Sequence, residues 1–171
     1  MLRITVKDLG DGSRSLARLR PGTRVAFEGP YGALTSGRRT QPRVTLIAAG
    51  IGITPLRALI EDLRLAPGDG TLIVRARSDA DVVFGAELEA LASARGVRLV
   101  YLLGSRARPD SWLPGYLGHL SDSAALRNLV PDIASQDVFL CGPDAWMDAV
   151  SRAARDAGVP VARVHTERFS W

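Results

Sequence analysis

The most constraining feature of the sequence is a nearly continuous apolar run, residues 44–49, that leads directly into a glycine-containing turn. A strand with so few polar residues is buried on both faces, as in parallel sheets covered by helices. A helix is expected to begin at Thr54, with Thr54 as its cap and Pro55 in its first position. The apolar residues that follow share one helical face: Leu56, Leu59, Ile60 and Leu63. This order of elements indicates an α/β protein.

The rest of the chain repeats the alternation of strand and helix. Strands are predicted at residues 44–49, 71–76, 97–103, 138–141 and 161–165, and later helices at 85–94, 123–130 and 144–157. Five strands connected by helices predict a Rossmann-like five-stranded parallel sheet with helices on both faces. Residues 104–121 are predicted to form a long loop. This domain is predicted to cover residues 38–171.

Residues 1–37 depart from that pattern. Alternating apolar residues at 2–7 and a second short run at 24–28 predict two β-strands, with turns and a short helix at 15–19 between them. So few strands cannot close a core by themselves. We therefore expect residues 1–37 to be a short β fragment of another domain and the polar residues 35–42 to be a linker.

The charged residues narrow the range of ligands. The net charge is +4, and Lys7 is the only lysine, so nearly all the positive charge is arginine. The arginines are scattered among acidic residues, which argues against nucleic-acid binding and favours a small anionic ligand. Cys141 is the only cysteine, which excludes an intrachain disulfide and favours a reducing compartment such as the cytoplasm. His119 and His165 have no partners at metal-ligand spacing, so no metal site is predicted.

The glycine turn is the first candidate site. Its members are Gly50, Gly52, Ile53, Thr54 and Pro55. Glycines between a buried strand and a helix let the backbone approach a phosphate, which the helix N-terminus attracts; a tight turn without a ligand also uses glycines. Pro55 stands where the dinucleotide fingerprint has its third glycine, and Arg75 and Arg77 stand where an acidic residue is usual. The common NAD dehydrogenase pattern is therefore a poor match.

Several motifs together resemble the ferredoxin–NADP reductase superfamily, in its branch of bacterial ferric-reductase-like and flavohaemoglobin-type modules. The matching segments, in chain order, are Gly10-Asp11-Gly12-Ser13, Gly29-Pro30-Tyr31-Gly32, Ala49 to Arg57, Cys141-Gly142-Pro143 and Glu167-Arg168-Phe169. Each motif alone is weak, whereas five in order are specific. The resemblance implies an NAD(P)H-binding domain that passes a hydride from NADPH or NADH to FAD for onward electron transfer.

The resemblance also implies roles for individual residues. Cys141 would lie near the nicotinamide ring, and Glu167 would make a polar contact with Cys141 or with the nicotinamide amide. Phe169 would stack on the flavin. Four further residues are expected to bind cofactors: Gly142 under the nicotinamide ribose, Pro143 at the start of the next helix, and Gly10 and Ser13 at the FAD pyrophosphate. The alternatives are ordinary ones, namely a small buried thiol, a solvated carboxylate and an aromatic residue packed in a tail.

Coenzyme choice is expected to depend on the end of the third strand. Ser105 and Arg106 follow it, where NADP-dependent members of the family carry Ser-Arg at the 2′-phosphate. Arginine pairs well with that group, and Arg77 and Arg108 would add charge; solvated loop arginines are the alternative. NADPH is favoured over NADH.

The arginine motif of the family's flavin-binding barrel is missing upstream of Gly10. We therefore expect residues 1–37 to be the C-terminal remnant of that barrel, and the chain to be part of a longer reductase. It should bind nicotinamide nucleotide weakly and FAD hardly at all without the FAD-binding domain. The electron acceptor stays open between iron, haem, an iron–sulfur partner and a membrane redox centre. A non-catalytic nucleotide sensor and a basic nucleic-acid binder are the competing functions.

Overall fold

The computed structural model describes residues 3–29 and 32–168, and the chain divides into two compact units, residues 1–32 and 33–171. In the first unit, helix α1 spans Asp11–Leu16. Residues 3–9 and 23–29 form no strand, so the predicted pair of β-strands is wrong there. A strand needs a neighbouring strand to bond its backbone groups, and apolar side chains such as Ile4 and Phe27 are exposed in this unit.

The second unit contains the predicted parallel sheet. Its strands are β1 (Val44–Ala49), β2 (Gly70–Ala76), β3 (Val97–Leu103), β4 (Asp137–Cys141) and β5 (Val164–Glu167). All neighbours are parallel, in the order β3-β2-β1-β4-β5. The five strands confirm the predicted fold class. Strand β5 begins later than predicted because Val161–Arg163 form a 3₁₀ turn.

Helices cover both faces of the sheet, as predicted. They are α2 (Ile53–Asp62), α3 (Gly85–Arg95), α4 (Asp122–Leu129) and α5 (Asp144–Asp156). Successive side chains of a strand point to opposite faces, so Leu46 and Ala48 pack with α2 and α3, whereas Ile47 and Ala49 pack with α4 and α5. Both faces of β1 are thus buried, as its continuous apolar run requires. No helix in the described part of the chain is long and apolar enough to cross a membrane.

Residues 33–41 form an ordered strap rather than a loose linker. At one end of the strap, the backbone N–H groups of Ala33 and Leu34 donate to Oε2 of Glu167 at 2.9 and 3.1 Å. At the other end, the N–H groups of Thr40 and Gln41 both donate to Oδ2 of Asp137 at 2.6 Å. Because Glu167 ends β5 and Asp137 begins β4, the strap runs from the carboxyl edge of the sheet to its amino edge.

Asp137 is the centre of the amino-edge network. Its side chain is fully buried, and Nε2 of His165 lies 2.9 Å from its Oδ1. The His165 ring in turn stacks on Phe139, with 4.6 Å between ring centroids. Burial alone raises the pKa of this carboxyl, but the hydrogen bonds from His165, Thr40 and Gln41 outweigh burial, so the pKa of Asp137 is lowered.

Replacing Asp137 with asparagine should destabilise the protein, because the charge that accepts these bonds is lost. We expect Asp137→Asn to reduce the free energy of unfolding at pH 7 by about 2–3 kcal/mol, measured by urea denaturation. Because the folded-state pKa is lowered, the Asp137 contribution is present above the ordinary carboxyl pKa of about 4 and is lost as the pH falls through the folded value. Between neutral and acidic pH, the free energy of unfolding should therefore fall less in Asp137→Asn than in the unaltered protein.

The exposed Asp62 at the end of α2 offers a matched control. Asp62→Asn should change the free energy of unfolding by less than about 0.5 kcal/mol. Equal effects of the two substitutions would contradict the role assigned to Asp137.

Candidate functional site

The loops that follow β1 and β4 meet at the carboxyl edge of the sheet. These strands are neighbours, with Ala48 opposite Cys141, although almost a hundred residues separate them in sequence. A Cβ atom added at Gly52 would lie 2.2 Å from the carbonyl oxygen of Cys141 and 2.6 Å from the nitrogen of Gly142. Packing alone therefore requires glycine at position 52. Strand order reverses between β1 and β4, and open parallel sheets bind ligands at such a point.

Gly50 occupies a different environment in the same loop. It is exposed, its φ is +55°, and a Cβ added there would meet nothing within 4 Å. This open space lies directly before α2, where backbone N–H groups and the helix dipole favour an anion. A phosphate group could approach the backbone there without a steric barrier. Gly50 thus fits the predicted ligand role better than a packing role.

The start of α2 differs from the starts of the next three helices. Helix α2 has no acidic residue in its first turn, whereas the first turns of α3, α4 and α5 contain Glu87, Asp122 and Asp144. The predicted cap is wrong: α2 begins at Ile53, and the hydroxyl of Thr54 donates to the carbonyl of Ile51 at 3.0 Å. The positive end of α2 is left without a negative side chain.

Cys141 ends β4 at the base of this site. Its side chain is fully buried, and Cys141 pairs with Glu167 in the register of β4 and β5. Burial, followed by the negative charge of Glu167, raises the pKa of the Cys141 thiol to about 12. Gly142 packs against Trp146, and the exposed Pro143 caps α5. At neutral pH the site therefore presents a protonated thiol.

Glu167 uses its carboxylate differently from the sequence-based expectation. Its Oε2 accepts the two strap amides described above, from Ala33 and Leu34. The carboxylate still acts on Cys141 through its charge. The next residue, Arg168, pairs with Asp144 and Asp148 on α5. Phe169, which was predicted to stack on the flavin, lies outside the described residues.

Cationic residues line the part of the carboxyl edge formed by β2 and β3. Arg77, Ser105 and Arg106 are exposed there, and the N–H of Gly104 donates to the carbonyl of Arg77 at 2.9 Å. The guanidinium of Arg106 donates to the carbonyl of Pro109 at 2.9 Å, whereas that of Arg108 donates to the carbonyl of Gly118 and pairs with the carboxylate of Asp122. Arg77, Ser105 and Arg106 belong to the same edge as the glycine turn, and the added charge of Arg108 stays a prediction.

Two residues of this region were given no site role by the sequence analysis. Tyr116 is 59% exposed and follows Gly115, whose N–H donates to the carbonyl of Ser105 at 2.9 Å. An exposed aromatic ring beside Ser105 and Arg106 offers a surface on which a base can stack. The signal in the sequence was an aromatic residue directly after Pro114-Gly115, a pair typical of a turn. The second residue is Arg75, which is buried rather than exposed.

Gly10 and Ser13 lie in the other compact unit. The hydroxyl of Ser13 donates to the carbonyl of Gly10 at 2.8 Å and accepts the N–H of Leu9 at 2.8 Å. These contacts form a local turn at the start of α1. Among the described residues there is also no group of three potential ligands that could hold a metal ion.

Comparisons with known proteins show the family of the chain. A family model described as the oxidoreductase NAD-binding domain matches residues 46–152. Ferredoxin–NADP reductase B of Sorangium cellulosum is 33% identical over 98% of this chain and 71% of its own length. The ferredoxin reductase component of 3-ketosteroid-9-alpha-monooxygenase from Mycobacterium tuberculosis is 34% identical over 98% of this chain, which spans only 45% of that protein.

The fold has solved relatives as well. The flavohaemoglobin of Malassezia yamatoensis, determined with bound FAD and haem, is 26% identical and superimposes with a TM-score of 0.65. The match covers 98% of this chain and 43% of the flavohaemoglobin chain. The flavohaemoglobin and the mycobacterial component are therefore each more than twice as long as the segment they share with this chain.

The two glycines of the turn should respond differently to substitution. Gly52→Ala places a Cβ against backbone that cannot rotate away, and we expect a loss of about 2–3 kcal/mol in the free energy of unfolding. Gly50→Ala meets only the cost of its positive φ, about 1 kcal/mol. Thermal and urea unfolding of both variants measures the difference. A larger loss for Gly50→Ala would contradict the close approach of the two loops.

The raised pKa of Cys141 predicts an unreactive thiol. With a pKa of about 12, the thiolate fraction at pH 8 is roughly a thousandfold below that of an ordinary cysteine. A disulfide reagent should therefore modify the native protein far more slowly than the urea-unfolded protein, which serves as the control. Rapid modification of the native protein at pH 8 would show that Cys141 is neither buried nor protonated.

Proposed function

The chain belongs to the family of oxidoreductase NAD-binding domains, and we propose that the carboxyl edge of its sheet binds NADPH and presents it for hydride transfer to FAD. The observation that carries this proposal is the open space at Gly50, in front of a helix start with no acidic residue. The close approach of Gly52 to Cys141 and Gly142 brings a second loop beside it.

The pyrophosphate is assigned to the glycine turn. Its two phosphates would occupy the space above Gly50, where the backbone can approach them, and face the positive end of α2. Ile53, Thr54 and Pro55 contribute backbone at the start of that helix, and the Ile53 side chain is buried in the core. The absence of an acidic first-turn residue supports this assignment, since a carboxylate there would repel the phosphates.

The adenosine end is assigned to the loop after β3. Ser105, Arg106 and Arg77 offer a hydroxyl and two exposed guanidinium groups for a ribose phosphate, and Tyr116 offers a ring for the base. Arginine binds phosphate in a bidentate manner. These groups support NADPH over NADH as the preferred coenzyme.

The nicotinamide end is assigned to Cys141, Gly142, Pro143 and Glu167. A hydride donor needs orientation and exclusion of water rather than an acid or base, and a protonated, buried thiol supplies no base. The carboxylate of Glu167 lies one strand from Cys141 and would favour the positive charge of an oxidised nicotinamide ring held there. Phe169 remains a proposed stacking residue beside them.

FAD does not fit the described residues of the first unit. The hydroxyl of Ser13 is committed to its own turn, and α1 is only six residues long. We therefore assign FAD to the flavin-binding domain of a longer protein, with residues 1–37 as the end of that domain and residues 38–171 as the NAD(P)-binding domain. When bound, FAD accepts the hydride and releases electrons singly.

The electron acceptor is proposed to be a one-electron centre, either a haem or an iron–sulfur protein. Relatives of this chain are named as reductase components of monooxygenases, which supports a redox protein partner over a small-molecule acceptor. The supply of reduced nicotinamide nucleotide supports a cytoplasmic location for the reaction.

Calorimetric titration of the purified chain with NADPH and NADH tests the site. We expect NADPH to bind more tightly than NADH, and Arg106→Ala to weaken NADPH binding by about tenfold or more, because a charge-assisted bond to phosphate is lost. Binding of NADH should change by less than about twofold.

Arg155→Ala is the matched control, since Arg155 is also exposed but lies in the last turn of α5. It should leave both affinities unchanged. Failure of both nucleotides to bind at millimolar concentration would overturn the proposed function, whereas an equal loss for both in Arg106→Ala would overturn the phosphate assignment alone.

A further inference from the structure

Arg75 is a buried cation held by backbone carbonyl groups. It lies near the carboxyl end of β2, and its side chain is only 7% exposed. Its guanidinium donates to the carbonyl oxygens of Gly104 at 2.7 Å, Leu102 at 3.0 Å and Trp112 at 3.2 Å, and also to that of Ala76. Four acceptors around one planar group match the fixed fork of N–H donors that arginine alone carries.

The charge of Arg75 is not neutralised by a carboxylate among its hydrogen-bond partners. Buried arginines are usually paired with an acidic side chain, because an unpaired charge is costly to remove from water. Burial lowers the pKa of Arg75, and although Tyr116 raises it, the positive charge of Arg106 lowers it further. The two cations therefore act on each other at the same edge of the sheet, and an anion bound there would stabilise both.

The carbonyl contacts of Arg75 also fix the shape of the loop after β3. That loop leaves the sheet at Gly104 and comes back beside the end of β2 at Trp112. The guanidinium of Arg75 donates to the carbonyls of both residues. The two legs of the loop also bond to each other, since the N–H of Ala107 donates to the carbonyl of Leu113 at 2.9 Å. Arg106 lies in the first leg and forms an antiparallel bridge with Pro114.

We propose that Arg75 is a positioning residue for coenzyme selection, which fixes the loop of residues 104–115 so that Ser105 and Arg106 face a phosphate on the adenosine ribose. Its uncompensated charge adds to the attraction for that phosphate. This inference rests on the proposed function. It adds that the selectivity for a phosphate depends on Arg75, a side chain that is itself nearly inaccessible. The ligand class is a nucleotide with a phosphate monoester on the adenosine ribose.

The test compares two substitutions at the same position. Arg75→Lys keeps the charge but cannot reach four carbonyls, and Arg75→Met removes both the charge and the fork. The probes are adenosine 2′,5′-bisphosphate and 5′-AMP, which differ by the ribose phosphate, and binding is measured by calorimetry. Amide hydrogen exchange of residues 104–115 measures the order of the loop without any ligand.

The backbone amide hydrogens of residues 104–115 should exchange faster in both variants than in the unaltered protein. We expect Arg75→Met to weaken binding of the bisphosphate by about tenfold or more and Arg75→Lys to weaken it by a smaller factor, with 5′-AMP changed less than about twofold in each. A general loss of folding would instead weaken the binding of both nucleotides equally. Arg75→Lys is the variant less prone to unfold, because the charge and most of the bulk of the side chain are retained.

Bisphosphate binding by Arg75→Met at the affinity of the unaltered protein would overturn the inference and leave the proposed function intact. Equal weakening of the two nucleotides in both variants would also overturn it, because selectivity would then be unchanged. If the unaltered protein binds neither nucleotide, the proposed function fails, and the inference fails with it.

Discussion

The close approach of two backbone segments underlies the rest of the site. Gly52 and the Cys141–Gly142 peptide are so near each other that no side chain fits between them. This contact joins the loop after β1 to the loop after β4, although the two loops are remote in sequence. Two residues earlier in the same loop, Gly50 borders open space, because a Cβ added there would meet nothing within 4 Å. One glycine thus packs the site together, and the other leaves room for a ligand.

The distribution of charge follows the two edges of the sheet. At the carboxyl edge, Arg75 and Arg106 act on each other and α2 begins without an acidic residue. At the amino edge, Asp137 is buried and negatively charged among amides and His165. At the carboxyl edge the carboxylate of Glu167 is occupied by the amides of Ala33 and Leu34, and the space in front of Gly50 and α2 favours an anionic ligand.

The sheet could be predicted from the sequence because strands buried on both faces need continuous apolar runs, and helices between them need apolar stripes. Strand β3 was predicted with its observed ends, and β1 likewise. The strands predicted in the first part of the chain are absent from the described residues 3–29, because alternation of apolar residues does not supply a neighbouring strand. The contact between Glu167 and Ala33 joins residues 134 positions apart, and no local sequence pattern predicts such a contact. The burial of Arg75 was hidden for the same reason, since its acceptors are carbonyls that every residue has.

The strap of residues 33–41 joins two strands of the sheet. Its two ends are held by single carboxylates, Glu167 at the end of β5 and Asp137 at the start of β4. Glu167 and Asp137 lie on the neighbouring strands β5 and β4, so the strap fastens the carboxyl end of one strand to the amino end of the other. Loss of either carboxylate would release the hydrogen bonds at one end of the strap and leave those at the other end in place.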